Sequence, residues 1–577
     1  MEYKKLAKTY EELEKNSKRL KKTQIISELL KETKDEDLRA VTMLLRGKLF
    51  SDFDDSEIGI STKLIVKGLS ISLGYSEKEI TNSYRETGDL GEVAKIYSSK
   101  KTQNTLFTSN LSVNYVFETL RKLATIEGIG SVDLKLKTLS NLLTSSKDIE
   151  AKYIIRSILG ELRVGVAQGT LRDAIAWAYL TNPTYDEETS SINPNREEYN
   201  EVIDKLQSAL DKLNDFVEVA KLAKKGADLT KVEMKIGSPL KVMLAQKVND
   251  AKEAFETVGS PLAMEYKYDG FRMQVHKYDG EVKIFTRRLE EVTSRFPEVV
   301  KVVKTNVKGN VILDCEAVGY VKETGKYTTF QHISQRIKRK YDIEELAEKL
   351  PVELNIFDLL YYEKDYLNVE FELRRKKLEE IITQEPKKIV LSNLKLTTKE
   401  EEVEEFLALA LNEGKEGLMI KNLKGIYKPG SRVGYMLKYK KSLDPLDLVI
   451  VKAEWGQGKR SGWLTSFTLA CQGEEGEFLE IGKVGTGLKE KTELGVSFEE
   501  LTTKIKPHII KEEGREVEVN PIIVLSLLFE EIQKSPSYSS GFALRFPRVV
   551  ALRDEKPVEE IATIYDVEKE YKKQLRL

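Results

Sequence analysis

The spacing of apolar residues changes twice along the chain. From residue 1 to about 235, apolar side chains recur three and four positions apart, as at Ile25 and Leu29, which is typical of amphipathic helices. Alternating Val and Ile residues are almost absent from this stretch. We therefore predict an all-α domain over residues 1–235, in which the polar, proline-containing residues 182–194 form a loop between helices.

The pattern changes at residues 236–239 (IGSP), after which strand-like runs alternate with helical ones. Runs rich in β-branched and aromatic residues predict strands at 264–268, 273–277, 282–286, 311–316, 352–358 and 417–421. Helical spacing predicts helices at 343–349 and 399–412. This mixture indicates an α+β or mixed α/β domain over residues 236–441.

From residue 442 onward, short strand-like runs are separated by turn residues. These runs lie at 446–453, 465–471, 478–484, 516–519 and 549–552. Many short strands with turns between them are typical of a small β-barrel. The predicted fold class is therefore multidomain, with an all-α domain, an α+β domain and a β-barrel domain over residues 442–577.

Length and composition indicate the broad class of protein. A chain of 577 residues is too long for one hydrophobic core, which agrees with several domains. Apolar residues make up 40% and charged residues 32% of the chain, as in an ordinary soluble protein. No apolar run is long enough to span a membrane, and residues 1–13 lack the apolar region of a signal peptide. We expect a cytoplasmic protein with no membrane partner.

The scarcity of cysteine and histidine excludes several kinds of catalytic site. Cys315 and Cys471 each stand alone, which excludes a disulfide scaffold and a Cys-rich zinc module. The three histidines are scattered, with no HExxH string, so neither a His-based metal site nor a Ser-His-Asp triad is expected. Any chemistry must then use Lys, Arg, Asp and Glu. The net charge of −1 gives no indication of a DNA partner, because binding depends on where charge lies.

Residues 127–131 (EGIGS) precede a predicted helix that begins near Val132. Two glycines and a Ser cap leave backbone N–H groups at the start of a helix, which suits a phosphate. The same residues also suit a plain tight turn with an N-cap. The sequence alone leaves both interpretations open.

Residues 265–272 (EYKYDGFR) contain the candidate nucleophile, Lys267, at the end of a predicted strand. A lysine amine attacks only when it is neutral, and its reference pKa is about 10.4. Burial and a neighbouring cation lower that pKa, so Arg272 nearby is chemically reasonable. However, the string KYDG recurs at residues 277–280, where it has no matching context and indicates only a hairpin turn.

Further motifs follow in a fixed order, and together they favour a nucleotide-transfer site. They are 286–288 (TRR), 313–316 (LDCE), 357–358 (FD), 416–421 (EGLMIK), 437–440 (LKYK), 545–548 (RFPR) and 553–556 (RDEK). This order resembles the covalent nucleotidyltransferase superfamily, which comprises DNA ligases, RNA ligases and mRNA-capping enzymes. Several motifs in the right order are far less probable by chance than any one of them.

Three stretches outside this series resemble the replicative ATP-dependent DNA ligases of archaea and eukaryotes. They are 151–166, with AKYIIR and LRVGV at its ends, 238–245 (SPLKVMLA) and 544–548 (LRFPR). The resemblance spans nearly the whole chain. It implies a helical DNA-binding domain (1–235), an adenylation domain (236–441) and an OB-fold (442–577) that together encircle the duplex.

The resemblance also implies a function and its partners. The chain would seal nicks in double-stranded DNA during replication, repair and recombination, with ATP and Mg²⁺, for which Mn²⁺ is an alternative. A sliding-clamp partner is a family-level expectation, since no clamp-binding motif is visible. A monomer is expected, located in the cytoplasm with the nucleoid, or in the nucleus if the source is eukaryotic.

Residue roles follow from the same resemblance. Lys267 would attack the α-phosphorus of ATP, and Lys438 and Lys440 would neutralise the charge that builds up there. The remaining assignments are Glu265 and Phe357 around adenine, Arg272 and Glu316 on the ribose, Arg287 on the phosphate of the nicked strand, Arg432 on the ATP phosphates, and Glu316 and Glu416 on the metal.

Four basic residues near the end of the chain have two interpretations. Arg545, Arg548, Arg553 and Lys556 would act against pyrophosphate in the first step, carried over ATP by a mobile domain. For Arg545 and Arg548, a basic face that binds only the DNA backbone is an equal alternative.

Some positions depart from the common family pattern. Phe271 stands where an acidic residue is frequent, residues 314–316 (DCE) replace a more usual Glu-Gly-Glu, and residues 435–436 (YM) replace a Trp-bearing lead into the lysine pair. The charged chemical residues stay in place, so these differences affect the expected fit to DNA and not the reaction class.

Other functions of the same superfamily remain as alternatives. A capping-type guanylyltransferase or an RNA ligase would share the lysine chemistry but would not need more than two hundred helical residues before it. An NAD-dependent ligase would normally carry a four-cysteine zinc module, which two cysteines cannot build. A non-catalytic DNA-binding scaffold is a further alternative, and the intact lysines argue against it.

Overall fold

The computed structural model describes residues 1–576 except 55, 101–109, 182, 187, 190, 194–195, 329–332, 334–335, 338–342, 441–443, 458–459 and 491–494. It divides into two compact units. The first unit contains residues 1–403 and 419–438, and the second contains residues 404–418 and 439–577.

The first unit begins with a helical region. Its helices are α1 Tyr3–Lys15, α2 Arg19–Glu32, α3 Asp35–Leu45, α4 Thr62–Leu73, α5 Glu77–Thr87, α6 Leu90–Ser99, α7 Val113–Thr125, α8 Ser131–Ser145, α9 Ile149–Ile158, α10 Gln168–Tyr179, α11 Arg196–Leu213 and α12 Phe216–Lys224. They pack around one hydrophobic core. The first helix shows why, because Leu6, Tyr10 and Leu13 lie three and four positions apart and are all buried.

The sequence predicted a loop at residues 182–194, and this prediction was wrong, because part of the stretch forms a β-hairpin. Strands β1 Thr184–Asp186 and β2 Ser191–Asn193 pair antiparallel in a short hairpin between α10 and α11. The Asp186 carboxylate accepts hydrogen bonds from the backbone N–H groups of residues 188 and 189, which closes the turn. Residues 182, 187, 190 and 194 of this stretch lie outside the described part of the chain.

The rest of the first unit is mixed helix and sheet. Its elements are β3 Gln246–Val248, α13 Ala251–Val258, β4 Leu262–Lys267, β5 Phe271–Tyr278, β6 Glu281–Thr286, α14 Pro297–Asn306, β7 Val311–Gly319, α15 Ile343–Lys349, β8 Val352–Tyr362, α16 Phe371–Ile381, β9 Ile389–Leu391, β10 Leu394–Thr397, α17 Glu400–Asn412, β11 Gly417–Asn422 and β12 Met436–Tyr439. Three of these elements, α17, β11 and β12, extend into the second unit. Every strand and helix predicted for this stretch overlaps an observed one.

These strands form two five-stranded sheets. The first has the order β10-β4-β11-β12-β3 and the second the order β6-β5-β7-β8-β9. Pairing in the second sheet is antiparallel except between β8 and β9. Strands β4 and β5 are consecutive in the chain but belong to different sheets, so the turn at residues 268–270 carries the chain from one sheet to the other.

The second unit is dominated by a sheet. Its elements are β13 Leu446–Trp455, β14 Leu464–Gln472, β15 Phe478–Val484, α18 Phe498–Ile505, β16 Ile509–Glu513, β17 Glu516–Val519, β18 Val524–Leu528, β19 Glu531–Lys534, β20 Phe542–Arg545, β21 Arg548–Leu552 and α19 Ile564–Arg576. Seven strands form one sheet, in which five pair in the order β15-β14-β13-β17-β16, while β18 pairs with β13 and β21 pairs with β18. The strands β19 and β20 pair separately.

The strands predicted for this part of the chain are all present. Among the described residues, no pairing joins the ends of the seven-stranded sheet into a closed barrel. The chain thus has an N-terminal helical region, an α+β region and a C-terminal sheet region. No helix in the described part of the chain is both long enough and apolar enough to cross a bilayer.

Candidate active site

Lys267 is the last residue of β4 and is partly exposed, directly before the turn that joins the two sheets. A Cβ on Gly270 would lie 2.3 Å from the carbonyl oxygen of Ala317 in β7. The turn therefore approaches β7 so closely that only glycine fits there. The candidate nucleophile is held at a fixed point between two sheets and not on a flexible loop.

The second copy of the KYDG string behaves as the sequence predicted. It forms the hairpin turn between β5 and β6, with Asp279 and Gly280 at φ values of 48° and 79°. Two consecutive residues in the left-handed region are typical of such hairpins. Gly270, by contrast, is required because a side chain there would collide with β7. The glycines of the two identical strings are therefore needed for different structural reasons.

Glu265, two residues before Lys267, is buried with only 1% of its surface exposed. Lys421 Nζ lies 2.7 Å from one carboxylate oxygen, and Arg375 lies 3.3 Å from the other. Burial raises the pKa of Glu265, while the two cations act to lower it. A buried carboxyl group flanked by two cations has a fixed orientation.

Phe357 occupies an irregular position in β8. In the pairing of β7 with β8, Asp314 is opposite Asp358 and Cys315 is opposite Ile356, so Phe357 is the extra residue of a β-bulge. Bulges change the direction of a side chain and are common beside active sites. Leu360 is the extra residue of a second bulge on the same strand, but Leu360 is fully buried and Phe357 is partly exposed.

Two cations lie beside the Phe357 ring. Lys421 Nζ is 5.0 Å and Arg272 Cζ is 5.3 Å from the ring centroid. Lys421 Nζ also donates a hydrogen bond of 2.7 Å to the Phe357 carbonyl oxygen. Lys421 thus links Phe357 to Glu265, the two residues assigned to adenine.

Arg272 is held by a network of charged and polar groups. Its guanidinium pairs with both Asp314 oxygens at 2.8 and 2.5 Å, and it also donates to the Met243 carbonyl and the Tyr427 hydroxyl. Asp314 raises the pKa of Arg272 against the effect of burial. Glu316, assigned to the ribose, lies on β7 opposite Arg272 in the strand register.

The other assigned residues of the first unit lie on or after these strands. Lys438 is on β12, which is separated from β4 by β11 in the same sheet. Arg287 is exposed in the turn after β6, and Arg432 is exposed just before β12. The structure therefore brings Glu265, Phe357 and Arg272 into one cluster and leaves Arg287 and Arg432 at the surface.

In the second unit, Lys440 forms an ion pair with Glu416, and Glu530 lies 3.6 Å away. No group of three or more His, Cys, Asp or Glu side chains that could hold a metal occurs among the described residues. Magnesium bound through one or two carboxylates and phosphate oxygens needs no such cage.

Arg545, Arg553 and Lys556, near the end of the chain, form ion pairs with acidic side chains. Arg553 and Lys556 lie 3.1 and 2.7 Å from Asp447, and Arg545 lies 3.2 Å from Glu531. These contacts lie within the second unit.

Two landmarks of the helical region have different structural roles. At residues 127–131, Gly130 and not Ser131 is the N-cap of α8, because Ser131 already lies inside the helix. At residues 151–166, Arg156 is buried and pairs with Glu14 and Asp89 at 3.0 and 2.6 Å. The second landmark therefore stabilises the helical region from within.

The sequence did not assign a role to several residues of the site. Lys421 ends the 416–421 string and Asp314 lies within the 313–316 string, so both motifs contained the signal. Arg375 and Tyr427 lie in no motif, and nothing in the sequence indicated them.

Comparison with known proteins identifies the family. Family models match in order along the chain: DNA ligase N terminus at residues 2–176, ATP dependent DNA ligase domain at 242–440, and ATP dependent DNA ligase C terminal region at 460–556. The chain is 45% identical over 581 residues to a DNA ligase of Nanoarchaeum equitans, covering 100% of this chain and 99% of that protein. It is 39% identical over 571 residues to a DNA ligase of Archaeoglobus fulgidus, covering 98% of both.

A solved structure described as "Pmar-Lig_PreS3" has the same fold, with a TM-score of 0.59 at 18% identity, covering 95% of this chain and 99% of that chain. Because three family models match in order and the two relatives described above are 45% and 39% identical over nearly their full length, this protein belongs to the ATP-dependent DNA ligase family of enzymes.

Proposed function

We propose that this chain seals nicks in duplex DNA with ATP, using Lys267 as its nucleophile. The amine attacks the α-phosphorus of ATP, a P–N bond forms, and the bond to the pyrophosphate oxygen breaks as pyrophosphate leaves. The AMP then passes to the 5′-phosphate at the nick, which gives a DNA-adenylate. The 3′-hydroxyl finally displaces AMP as the phosphodiester bond forms.

The observation that supports this proposal best is the position of Lys267. It ends β4 at the junction of two sheets, two residues after a buried carboxyl group held by two cations. Preorganised charges around a reacting group are the main means of catalysis in phosphoryl transfer. A structural lysine would not need such surroundings.

The proposed substrate contacts follow from the cluster around Phe357. The adenine would stack on Phe357 next to Glu265, and Arg272 with Glu316 would hold the ribose. Because Asp314 and Tyr427 already orient the Arg272 guanidinium, the ribose would meet a preformed donor.

A further set of proposed contacts is with phosphates. Lys438 and Lys440 would neutralise the α-phosphate, Arg432 would contact the ATP phosphates, and Arg287 would contact the nicked strand. Mg²⁺, or Mn²⁺ instead, bound through Glu316, Glu416 and phosphate oxygens, would neutralise charge on the leaving pyrophosphate. Arg545 and Arg548 remain proposed for either pyrophosphate or the DNA backbone.

We also propose the domain assignment that this function needs. Residues 1–235 would bind DNA, residues 236–441 would carry out adenylation, and residues 442–577 would form an OB-fold. The chain would act as a monomer on nicked DNA in replication, repair and recombination, with a sliding clamp as a further partner. It would work in the cytoplasm with the nucleoid, or in a nucleus if the cell has one.

Label transfer from ATP tests the nucleophile directly. The protein is incubated with Mg²⁺ and α-labelled ATP, GTP or NAD, and label on the denatured chain is measured. We expect labelling from ATP that is lost in Lys267→Ala, together with sealing of a nicked duplex by the unmodified protein. Lys277→Ala is the matched control, since Lys277 occupies the same place in the second KYDG string and should label normally.

Other outcomes would identify the alternatives. Labelling from GTP without sealing would indicate a capping-type enzyme, and no labelling at all would indicate a scaffold. Lys267→Arg should also be inactive, because a guanidinium stays protonated and cannot attack phosphorus. Appreciable sealing by Lys267→Arg would contradict the mechanism.

A further inference from the structure

The segment that follows the helical region is bound along strand β5. We call residues 237–243 the linker segment. The backbone N–H of Gly237 donates to His276 Nδ1 at 3.0 Å. The backbone N–H of Leu240 donates to Gln274 Oε1 at 2.8 Å, and Gln274 Nε2 donates to the Leu240 carbonyl at 3.2 Å.

A third residue of β5 continues this series. Arg272 donates to the Met243 carbonyl at 2.9 Å, and the Tyr427 hydroxyl accepts a hydrogen bond of 3.0 Å from the Met243 N–H. Positions 272, 274 and 276 lie on the same face of the strand, since side chains alternate. One face of β5 is therefore occupied by the linker segment along most of its length.

The helical region holds the same segment from the other side. Asn214, buried between α11 and α12, donates from Nδ2 to the Pro239 carbonyl at 3.1 Å. Lys241 Nζ donates to Gln168 Oε1 on α10 at 2.7 Å. The linker segment is thus fixed to both parts of the first unit and is not a flexible tether.

These contacts lead directly to the proposed active site. Arg272, at one end of the series, lies five residues after Lys267 and belongs to the cluster around Phe357. A shift of the linker segment along β5 would break hydrogen bonds of buried backbone groups at Leu240 and Met243. The contacts therefore allow one position of the helical region relative to Lys267.

We propose that the linker segment, held by Gln274, His276 and Asn214, fixes the helical region relative to Lys267 for sealing of DNA, while self-adenylylation does not need it. Self-adenylylation takes place between ATP, its metal ion and the residues around Lys267, and it needs no DNA. Sealing requires that DNA, held by the helical region, lies within reacting distance of the adenylate, and a misplacement of about 1 Å can slow a reaction roughly 100-fold. This inference rests on the proposed function. Gln274, His276 and Asn214 are positioning residues in it.

Two variants test it from opposite sides. Gln274→Leu removes both hydrogen bonds to Leu240 with a side chain of similar size. Asn214→Gly removes the bond to Pro239 and keeps a residue that tolerates the positive φ of 49° found there. Lys277→Ala is the control on β5, because Lys277 bonds to the carbonyls of residues 304 and 307 and not to the linker segment.

Two rates are compared for each protein: the rate of label transfer from ATP, and single-turnover sealing by the adenylylated enzyme at saturating nicked DNA. We expect sealing to fall at least about tenfold in both variants, with label transfer within about twofold of the unmodified protein. The control should change neither rate. If Gln274→Leu does not fold, Asn214→Gly decides alone.

Equal losses of both rates, or no loss of either, would overturn the inference, because a merely structural role would not separate the two steps. Absence of label transfer in the unmodified protein would instead overturn the proposed function. The two failures are therefore distinguishable.

Discussion

Buried ion pairs orient the individual residues of the site. Glu265 has two cationic partners, Lys421 and Arg375, and Asp358 pairs with Arg374 at 2.6 Å. Arg374 holds the pKa of Asp358 below its usual value against the effect of burial. Removing one partner of a buried pair costs about 3–5 kcal/mol, because the remaining charge stays buried without compensation. The consecutive arginines at 374 and 375 thus hold Asp358, which follows Phe357 on β8, and Glu265.

At this scale we predict that Arg375→Met raises the KM for ATP in label transfer roughly tenfold, equivalent to about 1.4 kcal/mol, with little change in kcat. Without the guanidinium, the Glu265 carboxylate keeps only Lys421 and loses its fixed orientation. Initial rates of label transfer at varied ATP concentration give both constants.

The control uses the second acidic partner of Arg375, which is Glu379 at 3.1 Å on the exposed side of α16. Glu379→Ala should leave the KM unchanged, since it does not touch Glu265. An equal rise in KM in both variants would show that Arg375 acts only by stabilising the helix.

Some residues of the candidate site could be predicted from motifs, and others are identified only by their contacts in the folded protein. Lys267, Glu265 and Phe357 could be named in advance because each belongs to a short string in a recognisable order. Arg375 could not, because it contacts Glu265 across 110 positions and lies in a helix without a motif. The β-bulge at Phe357 depends on the register with β7, which no local pattern encodes.

At the scale of elements, β5 shows how one strand supports two different surfaces. Its sequence alternates, and Met273 and Val275 point into a hydrophobic core while Gln274 and His276 bind the linker segment. Burial, together with the charge of Lys283, lowers the pKa of His276 from 6.5 to about 3. The imidazole is therefore neutral in the folded protein across the physiological range.

This shift predicts an acid-sensitive contribution to stability. Below pH 6.5 the unfolded chain binds a proton at residue 276 and the folded protein does not, so stability is complete above pH 6.5 and falls as the pH approaches 3. Between pH 7 and 4.5, the unmodified protein should lose on the order of 2 kcal/mol more than His276→Gln. Urea unfolding at both pH values measures the difference.

Glutamine at position 276 cannot titrate but can still accept a hydrogen bond from the Gly237 N–H. Parallel losses of stability in the two proteins would mean that the ring is protonated in the folded state as well. A variant less stable than the parent at pH 7 would not affect the comparison, because only the change with pH is used.

The accuracy of predicted elements followed the strength of the local pattern. Long alternating strands such as β5 and β13 were found, and so were α15 and α17. The hairpin of β1 and β2 was missed because each strand is three residues long and its turn is closed by a side chain, Asp186. Short strands depend on partners distant in sequence, so their signal in the sequence is weak.

At the scale of the whole molecule, the first unit contains a cleft of about 210 Å³ between its helical region, the linker segment and the loop at residues 429–431. Asp211 of α11, Lys241 of the linker segment and residues 429–431 line it. Burial raises the pKa of Asp211 from 3.8 to about 6, although Gln207, Lys428, Lys241 and Arg172 act to lower it. Ionisation of Asp211 at neutral pH therefore lowers the free energy of unfolding.

The raised pKa of Asp211 predicts that stability changes with pH in the opposite direction to the contribution of His276. Between pH 3.8 and 6 the folded protein keeps a proton on Asp211 that the unfolded chain loses, so stability is lost as the pH rises through this range. Asp211→Asn should therefore be more stable than its parent at pH 7.5, on the order of 2 kcal/mol. The carboxamide oxygen can still accept the hydrogen bond from Gln207.

Urea unfolding at pH 7.5 and at pH 4 tests this prediction, and the two proteins should differ much less at pH 4. A gain of equal size at both pH values would show that packing and not ionisation is responsible. Destabilisation at pH 7.5 would mean that Asp211 is stabilised as an anion by its cationic neighbours.

The sequence by itself determined the family and the order of regions, and it predicted Lys267 as the nucleophile, because motifs and periodic patterns are local and do not depend on distant contacts. Only the tertiary structure decided which charges hold Glu265 and Arg272, that Phe357 lies in a bulge, and that the linker segment is bound along β5. The physical reason is that desolvation makes polar groups find partners wherever the fold brings them, often more than one hundred positions away.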